Sequence, residues 1–334
     1  MTFLRSENDK MIEVALLIYP ECQLAAVHGL TDLFRIANER SEYPQCDGSS
    51  PLIRVTHWRA DEVSGAVECV WDSAPGDAHR PAFAITPPSI TMPEKMSNMP
   101  LAAQWLTKLH DQGTIICSVC AGAFVLAQTG LLSGRRITTH WAFADLLVKK
   151  YPDVQVLTDN VIIDDGDIIT SGAILAWNDL GLLIVERLMS LDVLLATSRF
   201  MLSEGVRRDQ RPFQEFLPTL NHDDLAVLAA QHHIHAHPGD HHTVAGLSDR
   251  SGLTGRTFLR RFQKATGTKP TEYIKYVRMM KARDALQLGG QSVSVVAASV
   301  GYDDPGAFRK AFQSMIGLSP TAFRERFRLK AEST

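Results

Sequence analysis

GLTGRTFLRRFQKATGTKPTEY, residues 252–273, can be laid over GYDDPGAFRKAFQSMIGLSPTAF, residues 301–323, so that Gly252 meets Gly301, Phe258 meets Phe308, Phe262 meets Phe312, Gly267 meets Gly317 and Pro270 meets Pro320. A repeat of this length marks a supersecondary unit used twice. In each copy a short helix ends at a glycine, which tolerates a positive φ, and Thr254 or Asp304 then offers an oxygen to cap the next helix. Pro305 stands in a first helical turn, where its missing N–H costs little. The phenylalanines lie four apart and share one helical face, so they belong to a core. Arg256 and Arg260 in one copy, and Arg309 and Lys310 in the other, project from more open faces. The pattern is helix, tight turn, helix, twice, with cations on the second helix of each copy.

Charge follows the same division. Residues 1–241 carry 18 Lys/Arg against 30 Asp/Glu, a net of −12, whereas residues 242–334 carry 16 against 7, a net of +9. A polyanion is drawn to the second stretch and repelled by the first. A helix held by its aromatics and presenting arginine and lysine suits the major groove of double-stranded DNA, where arginine pairs with guanine and lysine with phosphate or guanine.

Outward from the repeat, the text from Asp223 to Phe327 is helical throughout, with a long segment at Pro270–Leu288 joining the two copies. Residues 206–222, polar and punctuated by proline, are expected to connect this part to an earlier domain. That earlier domain, expected over 11–205, alternates short apolar runs (Val14–Tyr19, Leu52–Trp58, Ala82–Ile85, Thr114–Ser118, Val161–Asp164, Ile168–Thr170) with helix-like text. Strands buried on both faces and interleaved with helices predict a layered α/β fold with a parallel sheet.

The whole chain of 334 residues is 45% hydrophobic and 21% charged, which excludes wholesale disorder. Five cysteines do not describe a disulfide scaffold, and a reducing, cytoplasmic setting is expected. No run of 18 apolar residues exists and the N-terminus lacks a secretion signal, so no membrane partner is expected.

Within the first domain, TIICSVCAGAFVLAQTG (114–130) places Cys120 between a buried strand and a helix. Free N–H groups at a helix start lower a thiol pKa and can hold an anion, so Cys120 stands where a sulfur could be activated, and it could equally be an inert wall of a pocket or a structural residue. His140 follows 20 residues on and could reach it, the outline of a nucleophile elbow. Cys120 and His140 are therefore weak catalytic candidates. A pocket is expected outside the C-terminal edge of the sheet, walled by Cys120, His140, Trp141 and Trp177. Either tryptophan could meet a cationic ligand face-on, and either could equally be buried core.

Other signals count for little. His232, His233, His235 and His237 do not share one helical face, and no metal site is expected. Asp164, Asp165 and Asp167 lack the spacing of a calcium loop. Gly122 and Gly134 do not complete a dinucleotide fingerprint, and no cofactor is expected.

Residues 223–328 resemble the C-terminal DNA-binding domain of the AraC/XylS regulators, above all in ASVGYDDPGAFRKAFQSMIGLSPTAFRERF. The resemblance implies two helix-turn-helix units, at about 243–266 and 292–316, joined by the helix at 270–288. It implies that Arg256, Thr257, Leu259 and Arg260, with Gly306, Arg309 and Lys310, face the DNA. Residues 11 to about 190 resemble the ThiJ/PfpI branch of the glutamine-amidotransferase-like superfamily, which implies a flavodoxin-like sheet with Cys120 at the elbow. The family's early acidic residue falls on Ala26. SVCAGAFVLAQTGLLSGRRITTHW and ITSGAILAWNDLG are similar to the GlxA-type regulators, which fuse these two domains. That likeness implies a non-enzymatic transcription regulator, an activator, working as a homodimer. It also implies a small, nitrogenous effector held by the first domain and RNA polymerase as a further partner. A cysteine-dependent amidase, hydrolase or glyoxalase-like enzyme, and an effector-independent DNA-architectural protein, are the alternatives.

Overall fold

A computed structural model describes residues 11–42, 52–61, 64–205, 207 and 209–328. Val206 and Arg208, in the expected connecting stretch, lie outside the described residues. The chain divides into two compact units, Met1–Gln210 and Arg211–Thr334.

The first unit runs β1 (Ile12–Ile18), α1 (Leu24–Ser41), β2 (Ile53–Asp61), β3 (Ala66–Asp72), β4 (Pro81–Thr86), α2 (Pro100–Asp111), β5 (Ile115–Val119) and α3 (Gly122–Ala127). It continues through β6 (Arg136–Ile137), α4 (Ala144–Lys150), β7 (Gln155–Val156), β8 (Ile162–Asp164), β9 (Ile168–Ser171), α5 (Trp177–Leu188) and α6 (Leu191–Phe200). Seven strands form one sheet in the order β3-β2-β1-β4-β5-β9-β8. The five inner strands are parallel. Taken alone they have the 2-1-3-4-5 order of flavodoxin-like sheets, with the order reversing between β1 and β4.

The sheet is mixed, where a parallel one was expected. β3 pairs antiparallel with β2, and β8 antiparallel with β9. The strands expected from apolar runs are inner ones or the short β8, while β3 is a finding of the structure. Its residues are half-buried or exposed, with Val70 and Trp71 each 42% exposed, so it lacks the apolar continuity that betrays a strand covered on both faces.

The core confirms the layered reading of β1. Val14, Ala15, Leu16 and Leu17 are all buried, so β1 is covered on both faces, and they share one core with Leu30 and Leu33 of α1 and Leu180 of α5. Gly181 lets α5 close on α1, since a Cβ there would lie 2.9 Å from Leu33.

The second unit is helical: α7 (Leu225–Ala236), α8 (Val244–Arg250), α9 (Gly255–Thr266), α10 (Pro270–Leu288), α11 (Val293–Ser299), α12 (Pro305–Ile316) and α13 (Pro320–Phe327). Asp224, Thr243, Thr254, Ser292, Asp304 and Ser319 cap their helices through side-chain oxygens that accept backbone N–H groups. α10 instead begins with Pro270 at its first turn. Gly252 and Gly301 take φ +63° and +77° in the turns before α9 and α12, while Gly267 and Gly317 close those helices in the left-handed region.

Two separate cores share α10. Val227, Ile234, Leu247, Phe258, Phe262, Tyr273, Ile274 and Val277 make the first. Met279, Ala282, Leu286, Val296, Phe308, Phe312, Ile316 and Phe323 make the second. Residues 211–217 lie on this unit. Phe216 stacks on Tyr276 at 5.0 Å, Phe213 meets Phe327 edge-on at 5.3 Å, and Arg283 donates to the Gln214 carbonyl at 2.5 Å.

Candidate functional site

α9 and α12 are each fastened by a pair of fully buried phenylalanines, Phe258 with Phe262 and Phe308 with Phe312. Opposite those rings, α9 exposes Arg256, Leu259 and Arg260, and α12 exposes Arg309 and Lys310. Thr257 is half-buried, and its hydroxyl lies 2.9 Å from that of the cap residue Thr254. Gly306, also half-buried, gives its N–H to Asp304, whose carboxylate is held below its usual pKa by the N–H groups of Gly306 and Ala307. Anionic caps sit well against a helix N-terminus.

The consecutive arginines of α9 have different work. Arg261 makes a two-pronged contact with Asp224, at 2.7 and 2.6 Å, which ties α9 to the start of α7 and depresses the Asp224 pKa. Arg260, one residue earlier, is exposed. Spacing alone could not separate the two, because the distinction depends on where Asp224 comes to rest.

In the first unit, Cys120 follows β5 with φ +54°, a strained value for a non-glycine residue. Glu21 after β1 and Ala173 after β9 share this left-handed conformation at the same C-terminal edge of the sheet. Cys120 N–H donates to the Ser171 carbonyl at 2.7 Å, and its own carbonyl accepts from the Thr139 hydroxyl at 2.8 Å. Gly122 is needed just beyond, since a Cβ would come within 2.4 Å of the Thr86 carbonyl oxygen. The elbow geometry is therefore present.

The activated thiol is not. Cys120 is 2% exposed, and burial pushes its thiol up to about 12, against the lowering expected from a helix start. The helix behind it, α3, is a buried stretch of six residues, and desolvation of a thiolate outweighs what its N–H groups offer. His140 supplies no relief. Its Nδ1 accepts from Ala142 N–H at 3.2 Å, its ring lies 5.2 Å from Trp141 and 5.0 Å from Phe143, and burial lowers its pKa. Among the described residues no hydrogen bond joins His140 to Cys120. Ala26, at the place of the expected family acid, is fully buried in α1.

Trp141 is half-buried beside His140, and Trp177 begins α5 with its six-membered ring against Gly29 of α1. The Trp177 indole N–H is buried with no protein partner, as are the Gln23 side-chain oxygen and the hydroxyls of Thr86 and Ser118. Gln23 follows β1, Thr86 ends β4, Ser118 lies in β5 and Trp177 follows β9, so all four belong to the C-terminal part of the parallel strands. The loops after β1 and β4 are meanwhile stitched together across the point where strand order reverses, by Tyr19 donating to the Pro87 carbonyl at 2.6 Å and Gln23 N–H to that of Pro88 at 2.7 Å.

Gln210 is a further residue that pattern did not reveal. It is 2% exposed, its amide nitrogen lies 3.1 Å from the Thr139 carbonyl and 2.7 Å from that of Asn160, and its side chain occupies the space a Cβ on Gly172 would need. It thus braces the segment that also holds Cys120.

Among the described residues no cluster of three His, Cys, Asp or Glu could hold a metal ion, and no helix is long and apolar enough to cross a membrane. Of the histidines, His233 gathers His237 and His242 at ring distances of 5.1 and 5.2 Å, and His235 pairs with the Tyr273 hydroxyl at 2.8 Å.

Residues 247–326 match the helix-turn-helix domain family, and residues 80–187 match the DJ-1/PfpI family. The chain is 28% identical over 235 residues to the HTH-type transcriptional regulator CdhR of Pseudomonas aeruginosa, a match covering 70% of this chain and 69% of that protein. It is 28% identical over 225 residues to the HTH-type transcriptional regulator GlxA of Rhizobium meliloti, covering 66% and 68%. A shorter stretch of 82 residues is 38% identical to the isonitrile hydratase of Pseudomonas putida, covering 24% of this chain and 34% of that enzyme.

Proposed function

Because the chain joins an N-terminal DJ-1/PfpI-like domain to a C-terminal AraC/XylS-type helix-turn-helix domain, the arrangement of the GlxA-type regulators, we propose that it is a DNA-binding transcription regulator that answers to a small molecule. The observation that carries this reading is the pair of matching helices, α9 and α12, each anchored by buried phenylalanines and each exposing cations. The two helices enter successive major grooves about 34 Å apart, the pitch of the duplex. Arg256, Arg260, Arg309 and Lys310 carry the contacts to bases and phosphates, with Leu259 available to a thymine methyl. Thr257 and Gly306, held in their caps, position the helix starts against the backbone.

In this reading the sensing domain spans 11–205 and the DNA-binding domain 223–328, within the two compact units Met1–Gln210 and Arg211–Thr334. The first domain holds the effector at the C-terminal edge of its sheet, near Cys120, His140, Trp141 and Trp177. The unpartnered indole N–H of Trp177 and side-chain oxygen of Gln23 suit a ligand that both accepts and donates hydrogen bonds. In this reading Cys120 is a wall of the pocket rather than a nucleophile, since its proton is held by burial. Activation of transcription, dimerisation and contact with RNA polymerase complete the proposal.

The test is binding of the full chain to duplex DNA over a range of salt. Affinity that falls steeply as salt rises supports the reading, and no salt-dependent binding removes it. The strained elbow at Cys120, with the local likeness to an isonitrile hydratase, favours cysteine-dependent catalysis as a second reading. Turnover of isonitrile, amide or aldehyde substrates that disappears in Cys120→Ala would establish it.

A further inference from the structure

α10 carries the two helix-turn-helix cores on its two halves. Val277 is the last α10 residue of the first core and Met279 the first of the second. Arg278 stands between them, and its guanidinium belongs to both units at once. Nε donates to the Pro238 carbonyl at 3.1 Å and Nη2 to that of Asp240 at 2.8 Å, both in the loop that leads from α7 into α8 of the first unit. Nη1 donates to the Gly301 carbonyl at 3.3 Å, in the turn that leads into α12 of the second. The same guanidinium lies 5.8 Å from the centre of the Tyr302 ring.

Around this group the two backbones touch. A Cβ on Gly239 would fall 2.7 Å from the Ser299 carbonyl oxygen, and one on Gly301 would fall 2.6 Å from the Gly239 carbonyl oxygen and 2.7 Å from Arg278 Nη2. Gly301 also needs its left-handed φ of +77°. Two glycines and one arginine therefore close a seam that the two hydrophobic cores leave unpacked. A planar, five-donor head is suited to spanning carbonyls from two segments, whereas a lysine ammonium is a compact point charge.

We propose that Arg278, seated on the Gly239–Gly301 contact, is a positioning residue that fixes the separation and phase of the two reading helices, and so makes the protein selective for the spacing between the two halves of its DNA site. The inference rests on the DNA-binding reading above. A rigid pair of helices pays for only one geometry of duplex, and a one-base-pair insertion turns one half-site by about a tenth of a helical turn relative to the other. Loss of the clamp lets the units adjust about α10, so affinity falls where the spacing is right and the penalty for a wrong spacing shrinks.

The experiment uses the full chain and a duplex that the wild type selects from a random-sequence pool, together with versions carrying one or two base pairs inserted between the halves. Arg278→Ala, which removes all three of these hydrogen bonds, is expected to weaken binding to the selected duplex by about tenfold or more. It is expected to flatten the dependence on spacing while leaving the salt slope unchanged. Gly239→Ala, which keeps every charge and forces the two backbones apart, is expected to flatten it as well, and Arg278→Lys to fall between wild type and Ala. Equal weakening on every spacing, in step with a lowered Tm, would overturn the proposal and reduce Arg278 to a structural residue. A salt slope reduced by about 1 in Arg278→Ala would overturn it too, by making Arg278 a phosphate contact. If the wild type itself shows no salt-dependent binding, the DNA-binding reading fails first and takes this inference with it.

Discussion

Arg260 and Arg261 share a helix and a charge, and their neighbours alone decide what each does. Arg260→Ala is expected to cost about 1–3 kcal/mol of binding on a specific duplex, the range for a lost arginine–guanine pair, with little change in melting temperature. Arg261→Ala should do the reverse, lowering thermal stability by freeing Asp224 while affecting DNA only through that loss. Titration calorimetry on the selected duplex, with a thermal melt, separates the two. Cys120 illustrates the same dependence on surroundings. Its thiol ionises near 9.0 when unburied and is pushed up to about 12 in the fold. Below about pH 9 it contributes a constant amount. Between about 9 and 12 the unfolded chain releases a proton that the folded chain keeps, so stability declines as pH rises. Urea unfolding at pH 8 and pH 10 should show a shallower decline in Cys120→Ser than in the wild type. Iodoacetamide at pH 8 should leave Cys120 unmodified until the protein unfolds. Neither outcome was legible in the sequence, which shows Cys120 beside a helix start but not the burial of that helix on every side.

Elements were more readable than residues. The four-residue spacing of Phe258 with Phe262 and of Phe308 with Phe312, bracketed by glycines and capping oxygens, states each reading helix in local terms, because caps and glycines act within a few residues of where they stand. The inner strands were legible for a related reason, since a strand covered on both faces is mostly apolar, as β1 is, although β2 buries Arg54, Thr56 and His57 among its apolar residues. β3 was not, because an edge strand open on one side carries a mixed text in which Glu68 and Asp72 interrupt the pattern. The seam at Arg278 was hidden altogether, for it joins residues 238, 240, 278 and 301, and no local rule connects them. The phenylalanines supply a test at this scale. Phe308→Ala removes a fully buried ring from the second core, and a loss of about 3–5 kcal/mol is expected by chemical denaturation. Since Phe258 serves a different core, Phe258→Ala should add to it nearly without interaction, as measured in the double variant.

For the whole molecule, charge is the readable property. The acidic excess of residues 1–241 and the basic excess of residues 242–334 nearly cancel, leaving a formal −3. Association with DNA therefore owes little to net attraction and much to a localised basic surface, and it should respond strongly to single cations on that surface. Arg309→Ala is expected to lower the slope of log affinity against log salt by about 1 if the side chain sits on a phosphate. Filter binding across a salt series measures it. The two private cores hung on α10 have a consequence for the history of such a protein. Substitutions that retune one recognition surface need not disturb the packing beneath the other, so descendants can acquire new promoters by revising half of the recognised sequence at a time, keeping an old foothold while the other is rewritten.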